Sequence, residues 1–202
     1  MSTAARELIV ASSNPGKLRE LRGLLGDLAV ELSGLERVPG LVLPEEGDEY
    51  AANAAAKALA VARAAGRLAL ADDSGLEVAG LGGAPGPRSA RFGGPGRDDA
   101  GRVRALLAAL AGATGEARAA RFVCVVALAT PQGAVVTRRG ECRGRILEAP
   151  RGTSGFGYDP IFVASGTQVS FAELPEAEKS RRSHRGNAVR ALLPELRRAL
   201  EA

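Results

Sequence analysis

The chain has 202 residues, 46% hydrophobic and 25% charged, with a formal net charge of +4. That composition suits one globular domain over residues 1–202 and excludes wholesale disorder. No apolar run approaches the roughly 20 residues of a membrane span, and Leu8-Ile9-Val10-Ala11 near the start is too short for a secretory signal, so a cytoplasmic protein with no membrane partner is expected.

In chain order, Glu7–Ala11 reads as a short buried strand. The polar turn Ser12-Ser13-Asn14-Pro15-Gly16 follows. Lys17 to about Leu28 then carries leucines at helical spacing. Strand, turn and helix in that order form a phosphate-binding geometry, because helix-start amides face the turn. Val30–Leu32 and Leu41–Leu43 read as short strands. Glu49–Ala65 is an alanine-rich helix stopped by Gly66. Leu68–Ala71 is a buried strand that runs into Asp72-Asp73-Ser74-Gly75, and Leu76–Leu81 is extended. Gly82–Gly96 is a Gly- and Pro-rich loop. Asp98–Leu110 is an amphipathic helix. Ala119–Thr130 and Ala134–Ile146 are long strands joined at Pro131-Gln132-Gly133. A glycine-rich loop spans Ala149–Tyr158, a strand spans Pro160–Val163, and His184–Leu200 is a helix that Pro194 should kink or split. Alternating helices and strands with one long hairpin predict an α/β fold around a mixed sheet.

The chemistry is narrowed by what is scarce. Two cysteines, Cys124 and Cys142, and one histidine, His184, exclude a disulfide framework, a four-ligand zinc site and a poly-His centre. A working metal must be held by carboxylates, which points to Mg2+ or Mn2+. The basic balance suits an anionic ligand. Seven aromatics offer few stacking platforms for single-stranded nucleic acid, and no nucleic-acid partner is expected. Arginine outnumbers lysine 24 to 3. Lys17, Lys57 and Lys179 therefore mark places where a compact point charge serves better than a planar fork, or are merely leftovers.

Each polar cluster has two readings. Asp72-Asp73-Ser74-Gly75 is good turn chemistry. The turn is the favoured reading of the motif alone; the other is a pair of carboxylates that needs a cation and whose side chains diverge if the strand continues. Glu45-Glu46-Gly47-Asp48-Glu49 is an acidic helix start or a source of further metal ligands. Ser12 to Lys17 gathers hydroxyls, an amide and a cation suited to phosphate, without the Walker A spacing, or is a capped helix start. In Ser154-Gly155-Phe156-Gly157-Tyr158-Asp159-Pro160, Phe156 could stack on a base and Asp159 accept from a ring NH, or the aromatics pin the loop to the core. The run Glu178–Gly186 is a solvated basic face, or it contacts phosphate or a base carbonyl.

Taken together, ASSNPGKLREL, ADDSGLEVAGLGGAPGPRSARF, SGFGYDPIF and AELPEAEKSRRSHRGNA occur here in the order and spacing of one family. From Leu8 to Leu193 the chain resembles the inosine triphosphate pyrophosphatases, which act on non-standard purine nucleoside triphosphates. The resemblance implies hydrolysis of ITP, dITP and XTP to the monophosphate and pyrophosphate, dependence on Mg2+, a homodimer, and an elongated mixed sheet flanked by helices in two lobes with a nucleotide cleft between them. By position it gives Ser12, Ser13, Asn14, Pro15, Gly16 and Lys17 to the phosphates and makes Asp73 the general base and a metal ligand. Lys57 and Ser74 become substrate contacts, Phe156, Gly157, Tyr158 and Asp159 the base loop, and Lys179, His184 and Arg185 further nucleotide contacts. The chain departs where a glutamate common before Asn53 is Ala52, and where Arg88 replaces a common tyrosine. The second metal ligand lies between Glu45 and Glu46, and Glu45 is chosen. The implied chemistry has Asp73 deprotonating water, Lys17 and the helix-start amides stabilising the leaving pyrophosphate, Arg91 as a further phosphate contact, and His184 and Arg185 donating to the carbonyl at the purine six position.

Overall fold

The computed structural model describes residues 6–201; residues 1–5 and 202 of the expected domain lie outside them. Seven strands form one sheet: β1 (Arg6–Val10), β2 (Val30–Ser33), β3 (Leu68–Val78), β4 (Pro85–Gly86), β5 (Ala119–Ala129), β6 (Val135–Ile146) and β7 (Phe162–Ala164). Their order is β2-β1-β3-β5-β6-β7, with β4 beside β3. β1 pairs in parallel with β2 and β3, whereas β3–β4 and β6–β7 are antiparallel, so the sheet is mixed. The helices are α1 (Pro15–Leu25), α2 (Tyr50–Ala65), α3 (Asp99–Ala109), α4 (Glu176–Arg182) and α5 (His184–Glu201).

The chain divides into two compact units. The first holds residues up to Asp73, 124–140 and 185 onward. Its core joins Leu8 and Val10 of β1, Leu70 of β3 and Val126 of β5 to Leu21 and Leu25 of α1 and Val189, Leu192 and Leu196 of α5. α2 buries Ala54, Ala58, Val61 and Ala62, residues small enough to let its axis approach closely. The second unit holds 74–123 and 141–184. Leu76, Val103, Leu106, Ile146, Phe162 and Phe171 form its core, where Phe122 meets Phe162 edge-on at 4.7 Å between centroids.

Local chemistry explains most boundaries. Pro15 sits at the start of α1, where no amide donor is needed, and Asn14 caps it. Gly66 ends α2 with φ 63°, a left-handed conformation that glycine adopts without strain. Asp98 caps α3 by accepting from the Gly101 amide at 2.7 Å.

The structure departs from the local readings at several points, among them residues 79–81, which form a 3-10 turn rather than extended chain. Asp72-Asp73-Ser74-Gly75 is no turn but the middle of the 11-residue strand β3. Leu41–Leu43 forms no strand. Residues 178–182 of the basic run lie in α4, whose seven residues are too short to show apolar periodicity. Pro194 does not split α5.

Candidate active site

Side chains alternate along a strand, so the adjacent carboxylates of β3 face opposite ways. Asp72 shares its face with Leu70 and looks toward α1 and α5. Its Oδ2 receives Lys17 Nζ at 3.1 Å and Arg185 Nη2 and Nε at 3.0 and 3.3 Å. Arg185 is 2% exposed, and its Nη1 pairs with Glu20 of α1. Burial pushes Asp72 up, but Lys17 and Arg185 outweigh it and hold the carboxyl far below the usual range. Cys124 lies 4.0 Å from the same oxygen, its thiol pushed up to about 12 by burial.

Asp73 looks the other way, toward α2. Asn53 and Lys57 stand four residues apart on that helix, one turn along its buried face. Asn53 Nδ2 donates to Asp73 Oδ2 at 2.9 Å, and Lys57 Nζ lies 3.3 Å from Oδ1. The amide of Asn53 also grips the acidic loop: its Oδ1 accepts from the Gly47 amide at 2.8 Å and its Nδ2 donates to the Gly47 carbonyl at 3.0 Å. That grip places Glu46 Oε1 2.7 Å from Lys57 Nζ. One ammonium therefore faces two carboxylates. Burial raises Asp73 above the ordinary carboxylate value against the pull of Lys57 and Asn53. Burial depresses Lys57, but Asp73 and Glu46 more than compensate, leaving its ammonium firmly charged. Asp72 is thus held as a carboxylate by its cations, whereas burial leaves Asp73 above the ordinary carboxylate value.

In the second unit, Gly155 and Gly157 adopt φ of 78° and 61° around Phe156. Asp159, buried, accepts from the Phe156 amide at 2.8 Å and pairs with Lys179 of α4. A Cβ on Gly155 would stand 2.2 Å from Asp159 Oδ2. The Lys179 ammonium lies 4.9 Å from the centre of the Phe156 ring, a cation–π distance. Tyr158 donates its hydroxyl to the Ser89 carbonyl at 2.9 Å. His184 is buried and stacked on Phe122, centroids 4.6 Å apart. Ser74 lies half-buried on β3.

Comparison with known proteins identifies the family. The Ham1 family profile matches residues 8–195. The chain belongs to the Ham1 family. A dITP/XTP pyrophosphatase of Gloeobacter violaceus is 50% identical over 188 residues, covering 93% of each chain. One of Deinococcus deserti is 51% identical over 188 residues, covering 93% of this chain and 88% of its own. A solved Ham1 protein from Coxiella burnetii superposes with a TM-score of 0.85 at 39% identity, covering 96% of this chain and 99% of that one.

Within this Ham1 chain the geometry bears on three of the expected residue roles. Glu45 is exposed, and Glu46 is the glutamate brought to Lys57 and Asp73. Arg185 is not presented to a base; three of its nitrogens are turned into buried pairs with Asp72 and Glu20. The first amides of α1 are not offered to phosphate either. Asn14 Oδ1 takes those of Gly16 and Lys17 at 2.9 and 3.2 Å, and the Asn14 carbonyl takes that of Leu18. The turn therefore presents Lys17 and the hydroxyls of Ser12 and Ser13, with Ser12 Oγ also accepting from the Asn14 amide at 3.2 Å. Arg91 is exposed, on the short 3-10 segment that follows β4.

Asn53, Glu20 and Ser89 carry more of the arrangement than their sequence context suggests. Asn53 was detectable from its four-residue spacing to Lys57. Glu20 and Ser89 had no comparable local signal, because their partners are Arg185 and Tyr158.

Proposed function

We propose that this chain hydrolyses dITP, ITP and XTP between the α and β phosphates, releasing the monophosphate and pyrophosphate and so clearing deaminated purines from the nucleotide pool. Asp73 carries the reading: a carboxylate in the middle of a buried strand, raised by burial, beside one lysine and a second carboxylate.

Water must attack a phosphorus ringed by negative oxygens. Asp73 orients and deprotonates that water; a positioned base contributes about 10²–10⁴-fold. Lys57 neutralises Asp73 and Glu46 enough for an anion to approach. Lys17, fixed by Asp72 and still part-exposed at 17% of its side chain, supplies a compact cation to the departing pyrophosphate. Lys179 and His184 serve the base. Their donors suit the six-position carbonyl of hypoxanthine and xanthine and would meet the amino group of adenine donor to donor. Phe156 supplies the face on which the purine stacks.

The donor set fits magnesium. Mg2+ usually takes one or two carboxylates and completes its shell with phosphate oxygens and water, and Asp73 with Glu46 provides that number of hard oxygen donors. When bound, it neutralises part of the phosphate charge and polarises the phosphoryl oxygens. The homodimer that the resemblance implies and the cytoplasmic location expected from the sequence belong to the same proposal. No helix among the described residues is long and apolar enough to cross a membrane.

The test is a panel of XTP, ITP, GTP, ATP, dTTP and UTP with Mg2+, assaying pyrophosphate and orthophosphate separately. Pyrophosphate from XTP and ITP, with little from ATP, is the expected result. Orthophosphate alone, or no turnover of any substrate, overturns the reading.

A further inference from the structure

We infer that Asp99, on the first turn of α3, is a positioning residue for base recognition: its carboxylate sets the Gly155–Tyr158 loop from outside by holding the Gly157 amide. The inference rests on the reading of that loop as the base site.

A loop that alternates glycine with one aromatic has little conformational preference of its own, since both glycines occupy left-handed backbone that costs them nothing. Something must choose among its states. Three side-chain ties contribute. Asp159 holds the Phe156 amide from within the same segment, and Tyr158 anchors the far end on the Ser89 carbonyl. The third comes from a different element and reaches the residue next to Phe156: the Gly157 amide donates to Asp99 Oδ2 at 2.7 Å.

Asp99 is itself fixed. Its other oxygen pairs with Arg102 Nη2, while Arg102 Nη1 donates to the carbonyl of Ala90 at 3.2 Å and to that of Arg97. The carboxylate is thus oriented by backbone of the 90–97 segment before it meets the loop. An acidic residue in a first helical turn is ordinarily explained by the helix dipole. Here Asp98 already caps α3 through the Gly101 amide, and the dipole does not require the Gly157 contact. The bond is charge-assisted and short, the stronger class of hydrogen bond.

Without it, the freedom of Gly157 returns and Phe156 loses its single position. Ordering the loop then falls on the substrate. The loss is of binding that ground state and transition state share, so KM rises while kcat at saturation holds. A residue that merely stabilised the fold would act oppositely: a smaller folded fraction lowers apparent kcat and leaves KM unchanged.

The experiment measures XTP kinetics for wild type, Asp99→Ala and Asp99→Asn, with the inhibition constant of inorganic pyrophosphate, a ligand without a base. Asp99→Ala is expected to raise KM for XTP about tenfold, the equivalent of one lost charge-assisted hydrogen bond. kcat should stay within about twofold, and pyrophosphate inhibition should be unchanged. Asp99→Asn keeps the size but cannot accept from both Gly157 and Arg102, so it should fall between, and it carries the test if the alanine variant does not fold. KM within twofold of wild type in both variants, or pyrophosphate inhibition weakened as much as XTP binding, overturns the inference alone. Wild type that releases no pyrophosphate from XTP overturns the functional reading first.

Discussion

Around Asp72 and Asp73, side-chain charge does the positioning. Around Phe156, backbone conformation shares that work. In the first cluster, Lys17, Lys57 and Arg185 sit against Asp72, Asp73, Glu20 and Glu46, and each charge is specified by another charge. In the second, two left-handed glycines are held through amides and a carbonyl by Asp159, Asp99 and Tyr158, and the Asp159–Lys179 pair sits at its edge. Electrostatic positioning suits the phosphate end of a nucleotide, where the ligand is itself charge. Shape and hydrogen-bond direction suit the base end, where substrates differ by one exocyclic group. The two plans should fail differently.

The largest expected effect is at Asp73. Asp73→Asn should lower XTP turnover by about 10²–10⁴-fold while circular dichroism shows the fold retained. Next is Arg185. Arg185→Met removes the guanidinium that pairs with buried Glu20 and, beside Lys17, with Asp72, and should destabilise the protein by about 3–5 kcal/mol in urea unfolding, whereas Arg185→Lys, a point charge without the fork, should recover only part of that. A base-contact role would instead show as altered purine selectivity at unchanged stability.

The glycine loop should respond to geometry rather than charge. A Cβ at Gly155 would meet Asp159 Oδ2 at 2.2 Å, whereas one at Gly157 meets nothing within 4 Å. Gly155→Ala should raise KM for XTP well above the effect of Gly157→Ala, which faces only left-handed strain of roughly 1–2 kcal/mol. Equal effects would mean that Asp159 does not set the loop. Smallest is the contrast between the neighbouring glutamates: Glu46→Gln should raise the Mg2+ concentration for half-maximal rate several-fold, and Glu45→Gln should leave it unchanged within twofold. The reverse order would return the ligand role to Glu45.

The same contrast explains what could be read from the sequence. β1, α1, α2, α3 and the β5–β6 pair follow from apolar spacing, caps and turn residues that lie within each segment. Asp72-Asp73-Ser74-Gly75 misleads because its turn propensity is local, whereas the ion pairs that let it continue as strand come from Lys17, Lys57 and Arg185, far away in the chain. Arg185 misleads for the same reason: a basic run reads as surface until Glu20 and Asp72 are known to face it. α4 is hidden by its length, and Lys179 within it is buried by Asp159, twenty residues earlier. Resemblance gathered the right segments, but only the packing separates a residue that meets substrate from one that holds another residue in place.

The central claim, water activation at Asp73 for cleavage between the α and β phosphates, is tested most directly by quantifying both products from XTP at saturating Mg2+, for wild type and Asp73→Asn side by side. The account predicts monophosphate and pyrophosphate in equal amounts from wild type, and their near-complete loss in the folded variant. Orthophosphate as the first product, or turnover by Asp73→Asn at the wild-type rate, would contradict it.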